Sequence, residues 1–138
     1  MTGTRAVLDA SALLAWIEDE PGSDLVGEVL GSGSAVMSAV NWAEVLAKLV
    51  DRGVSEEDRH RIRGGLDIDI RPFDEQAAVA SASLRRATSG LGLSIGDRAC
   101  LGLAVAEDVP ALTADQAWSR VDVRVPVRVI PECVRSRV

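Results

Sequence analysis

The chain has 138 residues, of which 47% are hydrophobic and 26% are charged, a balance that is typical of folded proteins and excludes a largely disordered chain. An acidic residue occurs too near the start of the sequence for a secretory signal, and no apolar run is long enough to cross a bilayer, so we expect a cytoplasmic protein. The length predicts a single domain over residues 1–138. The net charge of −6 argues against broad charge-driven binding of nucleic acid, although bound metal ions would locally reverse that sign and a basic protein would be attracted.

The first predicted element is a short apolar run that ends on a carboxylate. Residues 6–8 are typical of a buried parallel strand, and Asp9 follows at its carboxyl end. Because ligands of open parallel sheets bind beyond this end of the strands, Asp9 is placed for chemistry. Ser11 is expected to cap the helix that follows, whose core-facing residues are Leu13, Leu14 and Ile17.

A second helix is predicted from about residue 24 to 30, and a strand follows at residues 35–37. A longer, third helix is predicted after that strand. Ser38 is expected to cap this third helix, which stops at Gly53. The spacing of its apolar residues predicts a buried face that borders or contains Glu44. The residues of that predicted face are Val40, Ala43, Ala47 and Val50.

The middle of the chain predicts surface elements. Ser55 opens a charged helix that ends near residue 64, and its single histidine, His60, is expected to be exposed to solvent. The alternation around Ile68 and Ile70 favours an edge strand. Asp74 is then expected to begin a long Ala-rich helix that reaches about residue 88.

The last third predicts a buried helix between two strands. Ser94 and Asp97 have the spacing of a capping box, and the helix they open is apolar almost all round. It contains Cys100, which forms no CxxC pair with Cys133 and is expected to be a buried thiol.

Residues 111–113 form the next predicted strand, which carries Asp115 just past its end, and a final strand is expected around residues 127–130. Strands that alternate with helices indicate an α/β domain with a mostly parallel sheet and helices on both faces.

Four of the 21 acids stand out by their context: Asp9, Glu44, Asp97 and Asp115. Each has a structural explanation of its own, as a cap, a turn residue or, for Glu44, the partner of Lys48. Together they favour a common site, because strand ends and helix starts of one parallel sheet converge on one crevice.

Clustered carboxylates require cations or raised pKa values, since two unit charges about 4 Å apart repel by about 4 kcal/mol at an effective dielectric constant near 20. Oxygen ligands suit Mg²⁺ or Mn²⁺, and such a site supports metal-dependent cleavage of a phosphodiester. Other catalytic mechanisms lack the residues or motifs that they require. A single histidine does not support paired-histidine or zinc catalysis, and no Gly-rich phosphate loop ends in lysine.

Four segments of the chain, taken in order, resemble the PIN-domain ribonucleases, and among them the VapC-type toxins of bacterial toxin–antitoxin pairs. The segments are VLDASALLAW, SAVNWAEVLAK, LSIGDRACLGLA and ALTADQAW, and the resemblance runs from Arg5 to about Ile130. It implies an α/β/α sandwich and a Mg²⁺- or Mn²⁺-dependent endoribonuclease. By this resemblance Asp9 and Asp97 are the most direct metal ligands, while Glu44 and Asp115 complete the site and one of them positions the attacking water.

The resemblance also suggests roles around this acidic quartet. Ser11 and Thr113 match small hydroxyl positions near the site, although capping and satisfying a strand end explain them equally well. Arg98 either reaches a substrate phosphate or faces solvent. The family further implies a homodimer and inhibition by a cognate VapB-type antitoxin.

The leading hypothesis is therefore a toxin that inhibits translation by cutting RNA, with tRNA or rRNA as the expected substrate. One alternative is a PIN-domain nuclease of RNA processing, without an antitoxin, and another is a PIN-like interaction module without catalysis. A phosphoacceptor domain of the receiver type fits poorly, because the single lysine, Lys48, falls in an early helix.

Overall fold

A computed structural model describes residues 5–131, so Cys133 lies outside the described residues. Within that range no helix is long and apolar enough to cross a membrane. The strands are β1 (Ala6–Leu8), β2 (Ala35–Ser38), β3 (Ile68–Arg71), β4 (Ala111–Thr113) and β5 (Val127–Val129). The helices are α1 (Ala10–Ile17), α2 (Asp24–Gly31), α3 (Ala39–Asp51), α4 (Glu56–Gly64), α5 (Glu75–Ala82) and α6 (Ile95–Glu107), with a 3₁₀ helix at Gln116–Arg120.

The five strands form one sheet in the order β3-β2-β1-β4-β5, and every adjacent pair is parallel. The predicted α/β class with a parallel sheet is therefore confirmed. β1 is central, and β3 is the edge strand that the alternation of its residues predicts. Since all strands run the same way, the carboxyl ends of β1, β2 and β4 meet at one edge of the sheet.

The core lies on both faces of the sheet. Leu8 contributes to a cluster with α1, α2 and α3, whereas the preceding Val7 contributes to a second cluster with α6 and the 3₁₀ helix. This split follows from the alternation of side chains along a strand. The first cluster includes Leu13, Met37 and Val45, and the second includes Cys100, Leu101 and Trp118. Cys100 is fully buried, as predicted.

Two predicted helix limits are wrong. Helix α1 is capped by Asp9, not by Ser11: the Asp9 side chain accepts a hydrogen bond from the Ala12 backbone N–H, and Ser11 lies inside the helix. Helix α5 ends at Ala82 and the following residues form turns, so it does not reach Thr88. The Ser83 hydroxyl donates to the Ala80 carbonyl (2.8 Å), a side-chain bond of the kind that competes with the helical backbone.

The predicted buried face of α3 is also wrong. The buried residues of this helix are Asn41, Val45 and Leu49, whereas Val50 is 53% exposed. The polar residues of α3 form one stripe and apolar residues occupy the rest of its surface, so helical spacing fits a buried face on either side of that stripe. Ser38 does cap the helix as predicted, accepting from the Val40 N–H at 3.1 Å.

Candidate active site

The structure brings all four sequence-predicted acids to one cleft at the carboxyl edge of the sheet. Asp9 follows β1 and caps α1, and Asp115 follows β4 and caps the 3₁₀ helix. Glu44 lies in α3, the helix that follows β2, and Asp97 lies in the first turn of α6. All four line a cavity of about 370 Å³.

Asp9 is the buried acid of the cleft, with 4% of its surface exposed. Its carboxylate accepts hydrogen bonds from the Ser11 hydroxyl (2.8 Å), the Ala12 backbone N–H (2.8 Å) and the Thr113 hydroxyl (2.6 Å). Burial nevertheless raises the pKa of Asp9 from 3.8 to about 6, and the nearby charge of Asp97 adds to that rise, while the three hydrogen bonds oppose it. A cation in the cleft would therefore stabilise the ionised form of Asp9.

Ser11 and Thr113 connect Asp9 to the segment that carries Asp115. Their hydroxyl oxygens are 3.1 Å apart. The Ser11 oxygen accepts from the Ala114 N–H (2.9 Å), and the Thr113 oxygen accepts from the Asp115 N–H (3.0 Å). Because both hydroxyls also donate to Asp9, they fix the end of β4 relative to the end of β1.

Glu44 differs from Asp9 in being exposed to solvent: it borders the buried face of α3 and is not part of it. The orientation of α3 that places Asn41, Val45 and Leu49 in the core directs Glu44 away from the core and toward the cleft. Its Oε1 accepts a hydrogen bond from Asn41 Nδ2 (3.0 Å), and the same nitrogen donates to the Gly96 carbonyl (3.0 Å).

Asp97 combines a capping role with a place in the cleft. Its Oδ2 accepts from the Ser94 N–H (2.9 Å) and the Ser94 hydroxyl accepts from the Asp97 N–H (3.1 Å), which confirms the predicted capping box. Asp115 similarly accepts from the Ala117 N–H (3.0 Å). The adjacent Arg98 donates to the Leu93 carbonyl (2.9 Å), so its guanidinium is engaged by the loop before α6.

Four further residues around the cleft did not emerge from the sequence as site residues. Lys48 and Asp51 line it, and Asn41 and Gly96 contact Glu44. Helical spacing in the sequence could have identified two of them. Asn41 and Lys48 lie three residues before and four residues after Glu44, so they are its neighbours on the surface of one helix.

The chemistry of the cleft suits a hard divalent cation. As they stand, no three His, Cys, Asp or Glu side chains within residues 5–131 form a group that could hold a metal ion. Mg²⁺ does not require such a cage, because it is usually held by one or two carboxylates, several waters and the phosphates of a substrate. Among residues 5–131, softer ligands do not contribute to the cleft. Burial raises the pKa of the Cys100 thiol well above its usual value, and His60 is exposed on α4, as predicted.

A parallel α/β domain with an acidic cleft at the carboxyl edge of its sheet defines the class of protein. The family model for the PIN domain matches residues 6–124. The chain therefore belongs to the PIN domain family, which confirms the resemblance seen in its four sequence segments.

Solved structures that share this fold cover the chain almost completely. The DNA-bound VapBC complex from Salmonella typhimurium is 15% identical, with a TM-score of 0.74 over 92% of this chain and 98% of the other. VapBC2 from Rickettsia felis, bound to a fragment of its promoter DNA, is 16% identical (TM-score 0.66; 90% and 97%). VapBC-5 from Mycobacterium tuberculosis is 20% identical (TM-score 0.62; 93% and 98%). No curated protein sequence matches the chain.

Proposed function

We propose that this PIN-domain protein is a metal-dependent endoribonuclease and the toxin of a type II toxin–antitoxin pair, which inhibits translation by cleaving tRNA or rRNA. The observation that carries the proposal is the convergence of Asp9, Glu44, Asp97 and Asp115 on one cleft. Membership of the PIN domain family and the likeness to VapBC structures support it.

Asp9 and Asp97 are the proposed ligands of Mg²⁺ or Mn²⁺. The charge of Asp97 contributes to the raised pKa of Asp9, so the two carboxylates repel each other and a cation bound by both would relieve that repulsion. When bound, such an ion lowers the pKa of a water and stabilises negative charge on a phosphodiester. Ser11 and Thr113 hold the Asp9 carboxylate in a fixed orientation.

Glu44 and Asp115 complete the site in this proposal. One of them accepts a hydrogen bond from the attacking water and orients it toward phosphorus. Lys48, one helical turn beyond Glu44, contributes a positive charge to a cleft whose other charged side chains are acids. Phosphates of RNA enter such a cleft only when cations offset the carboxylates, which makes metal binding a condition of substrate binding as well as of cleavage.

The proposal includes a VapB-type antitoxin and a homodimer. The related structures are described as VapBC complexes, and the net charge of −6 attracts a basic segment of a partner. Co-expression with the product of an adjacent gene tests this part. We expect a stable complex that suppresses cleavage, and the mass of the separated toxin in solution to be that of a dimer. A nuclease of RNA processing would have no such inhibitor.

Cleavage of total RNA tests the catalytic proposal. Wild-type protein and Asp97→Asn are each incubated with Mg²⁺, with Mn²⁺ and with a chelator, after any antitoxin has been removed. Asparagine keeps an oxygen to accept from the Ser94 N–H, so this variant separates the metal ligand from the helix cap. Asp108→Asn is the matched control, because Asp108 ends α6 in the left-handed conformation that asparagine also adopts.

We expect discrete fragments from wild type and Asp108→Asn with metal, and none from Asp97→Asn or with the chelator. Cleavage that survives the chelator or Asp97→Asn would contradict the metal site. Intact RNA in every sample would favour the interaction module.

A further inference from the structure

Asn41 is a buried polar side chain that contacts two different elements of the site. It is 1% exposed, and its Nδ2 donates to Glu44 Oε1 and to the Gly96 carbonyl, both at 3.0 Å. Gly96 immediately precedes Asp97 in the first turn of α6. One amide group therefore determines where the Glu44 carboxylate lies relative to the turn that carries Asp97.

Gly96 provides the space that this arrangement needs. A Cβ atom added to residue 96 would lie 2.5 Å from Glu44 Oε2 and 2.9 Å from Glu44 Cδ. Those distances are well inside van der Waals contact, so any side chain at this position would displace the carboxylate. Glu44 thus lies against the backbone of Gly96, which has no side chain, while the Asn41 amide donates a hydrogen bond to one of its carboxylate oxygens.

The contacts of the Asn41 amide also set its orientation. Exchanging its oxygen and nitrogen would turn the oxygen toward two acceptors, the Glu44 carboxylate and the Gly96 carbonyl. In the described part of the chain, Oδ1 is buried and has no hydrogen-bond partner. An apolar residue would avoid that unfavourable burial, so the two bonds that Nδ2 donates are what an asparagine provides at this position.

We propose that Asn41 and Gly96 are positioning residues that act through Glu44, setting its carboxylate beside Asp97 for binding of the divalent cation. The inference rests on the proposed function, because it assumes that the cleft binds a metal. Glu44 adds its negative charge and its hydrogen-bonding oxygens beside the ligand Asp97, and groups just outside the ligand set commonly contribute 10-fold to 100-fold in metal affinity. A side chain with a purely structural role would instead alter folding and leave metal affinity unchanged.

Direct titration of the full chain with Mn²⁺ tests this inference, with unbound Mn²⁺ measured by electron paramagnetic resonance. Asn41→Ala removes the donor, and Gly96→Ala adds the Cβ that displaces the carboxylate. We expect each to weaken Mn²⁺ binding about tenfold or more. Val45→Ala is the control for Asn41, since Val45 is equally buried on α3, and Gly64→Ala is the control for Gly96, since a Cβ there meets nothing within 4 Å.

The same titration in a Glu44→Ala background separates positioning from folding. If Asn41 and Gly96 act through Glu44, neither substitution weakens Mn²⁺ binding further once that carboxylate is gone. Thermal unfolding without metal is measured on every variant, and only folded variants are compared.

The outcomes distinguish the inference from the proposed function. Unchanged affinity in Asn41→Ala and Gly96→Ala, or equal losses with and without Glu44, would overturn the inference while leaving the metal site in place. A wild-type protein that binds no Mn²⁺ would contradict the proposed function, and the inference would fall with it.

Discussion

Asp9 and Glu44 are carboxylates of one cleft, yet their surroundings are opposite in kind. Asp9 is buried at the end of the central strand and accepts from three donors, two of them hydroxyls from separate elements. Glu44 is exposed on a helix and accepts a hydrogen bond from Asn41. Burial raises the pKa of Asp9, and its position is set by the folded core. The position of the Glu44 carboxylate depends instead on the Asn41 amide and on the absence of a side chain at Gly96.

The fold positions one part of this site, and local contacts position the other. The end of β1 is fixed by strand pairing on both sides, so Asp9 is positioned before any ligand arrives. Glu44 is free to adjust within the limits set by its neighbours. Substitutions near Asp9 should therefore affect stability and activity together, and those near Glu44 should affect mainly activity.

The largest expected effect is on cleavage by Asp9→Asn. Loss of a charged metal ligand removes several kcal/mol of transition-state stabilisation, which corresponds to a fall in kcat of about 100-fold or more. Glu44→Gln should also lower kcat, but by less, because Glu44 completes the site instead of anchoring it. Single-turnover cleavage at saturating Mn²⁺ measures both. A larger loss in Glu44→Gln would reverse the assigned ranking.

The free energy of unfolding of the metal-free protein should depend on pH through Asp9. Its pKa is raised from 3.8 to about 6, so the folded protein binds this proton more tightly than the unfolded chain does. The resulting stabilisation is fully present below pH 3.8 and is lost as the pH rises through about 6, a change of about 3 kcal/mol.

Urea denaturation of the metal-free protein at several pH values, compared with Asp9→Asn, isolates this contribution. The variant has no titrating group at residue 9, so its free energy of unfolding should fall less than that of wild type between pH 4 and pH 6. Parallel curves for the two proteins would contradict the raised pKa.

The third prediction concerns the hydroxyl that links the two strand ends. Thr113→Val keeps the shape of a fully buried side chain but removes its hydrogen bonds to Asp9 and from the Asp115 N–H. We expect a loss of about 1–3 kcal/mol in the free energy of unfolding and a higher pKa of Asp9, since the Thr113 bond is the strongest influence that lowers it. Chemical denaturation and a carboxyl titration by NMR measure the two effects. An unchanged Asp9 pKa would show that this hydroxyl does not act on the carboxylate.

The sequence predicts the Asp9 side of the site better than the Glu44 side. A short apolar run that ends on Asp9 leaves little choice for the strand, and parallel pairing then brings Asp115 to the same edge. The cap of α1 could not be assigned correctly, because Asp9 and Ser11 are both good capping residues and the choice depends on where the strand ends.

On the Glu44 side, helical spacing reveals the neighbourhood of Asn41 and Glu44, but the contacts that orient them toward the site are tertiary. Apolar residues flank the polar stripe of α3 on both sides, so its buried face is selected by the sheet, by α1 and by α6 and not by spacing within the helix. The contact of Asn41 with Gly96 joins residues 55 positions apart in the chain. Sequence places Glu44 on a helix near the site, but the tertiary fold alone places its carboxylate beside Gly96.

The smallest expected effect is on the cap formed by Asp97. Asp97→Ala removes the acceptor for the Ser94 N–H and should lower the free energy of unfolding by about 1 kcal/mol, whereas Asp97→Asn should cost much less. Thermal unfolding without metal measures both. Equal destabilisation would mean that charge, not the hydrogen bond, stabilises this turn.

If the four acids form one divalent-cation site, crystals of the metal-free protein soaked in Mn²⁺ should hold the ion there. We predict an anomalous signal from Mn²⁺ in the cleft, bonded to carboxylate oxygens of Asp9 and Asp97 at about 2.1 Å. The same soak of Asp97→Asn should give no such signal. Mn²⁺ bound only outside the cleft, or bound there equally well by the variant, would contradict the account.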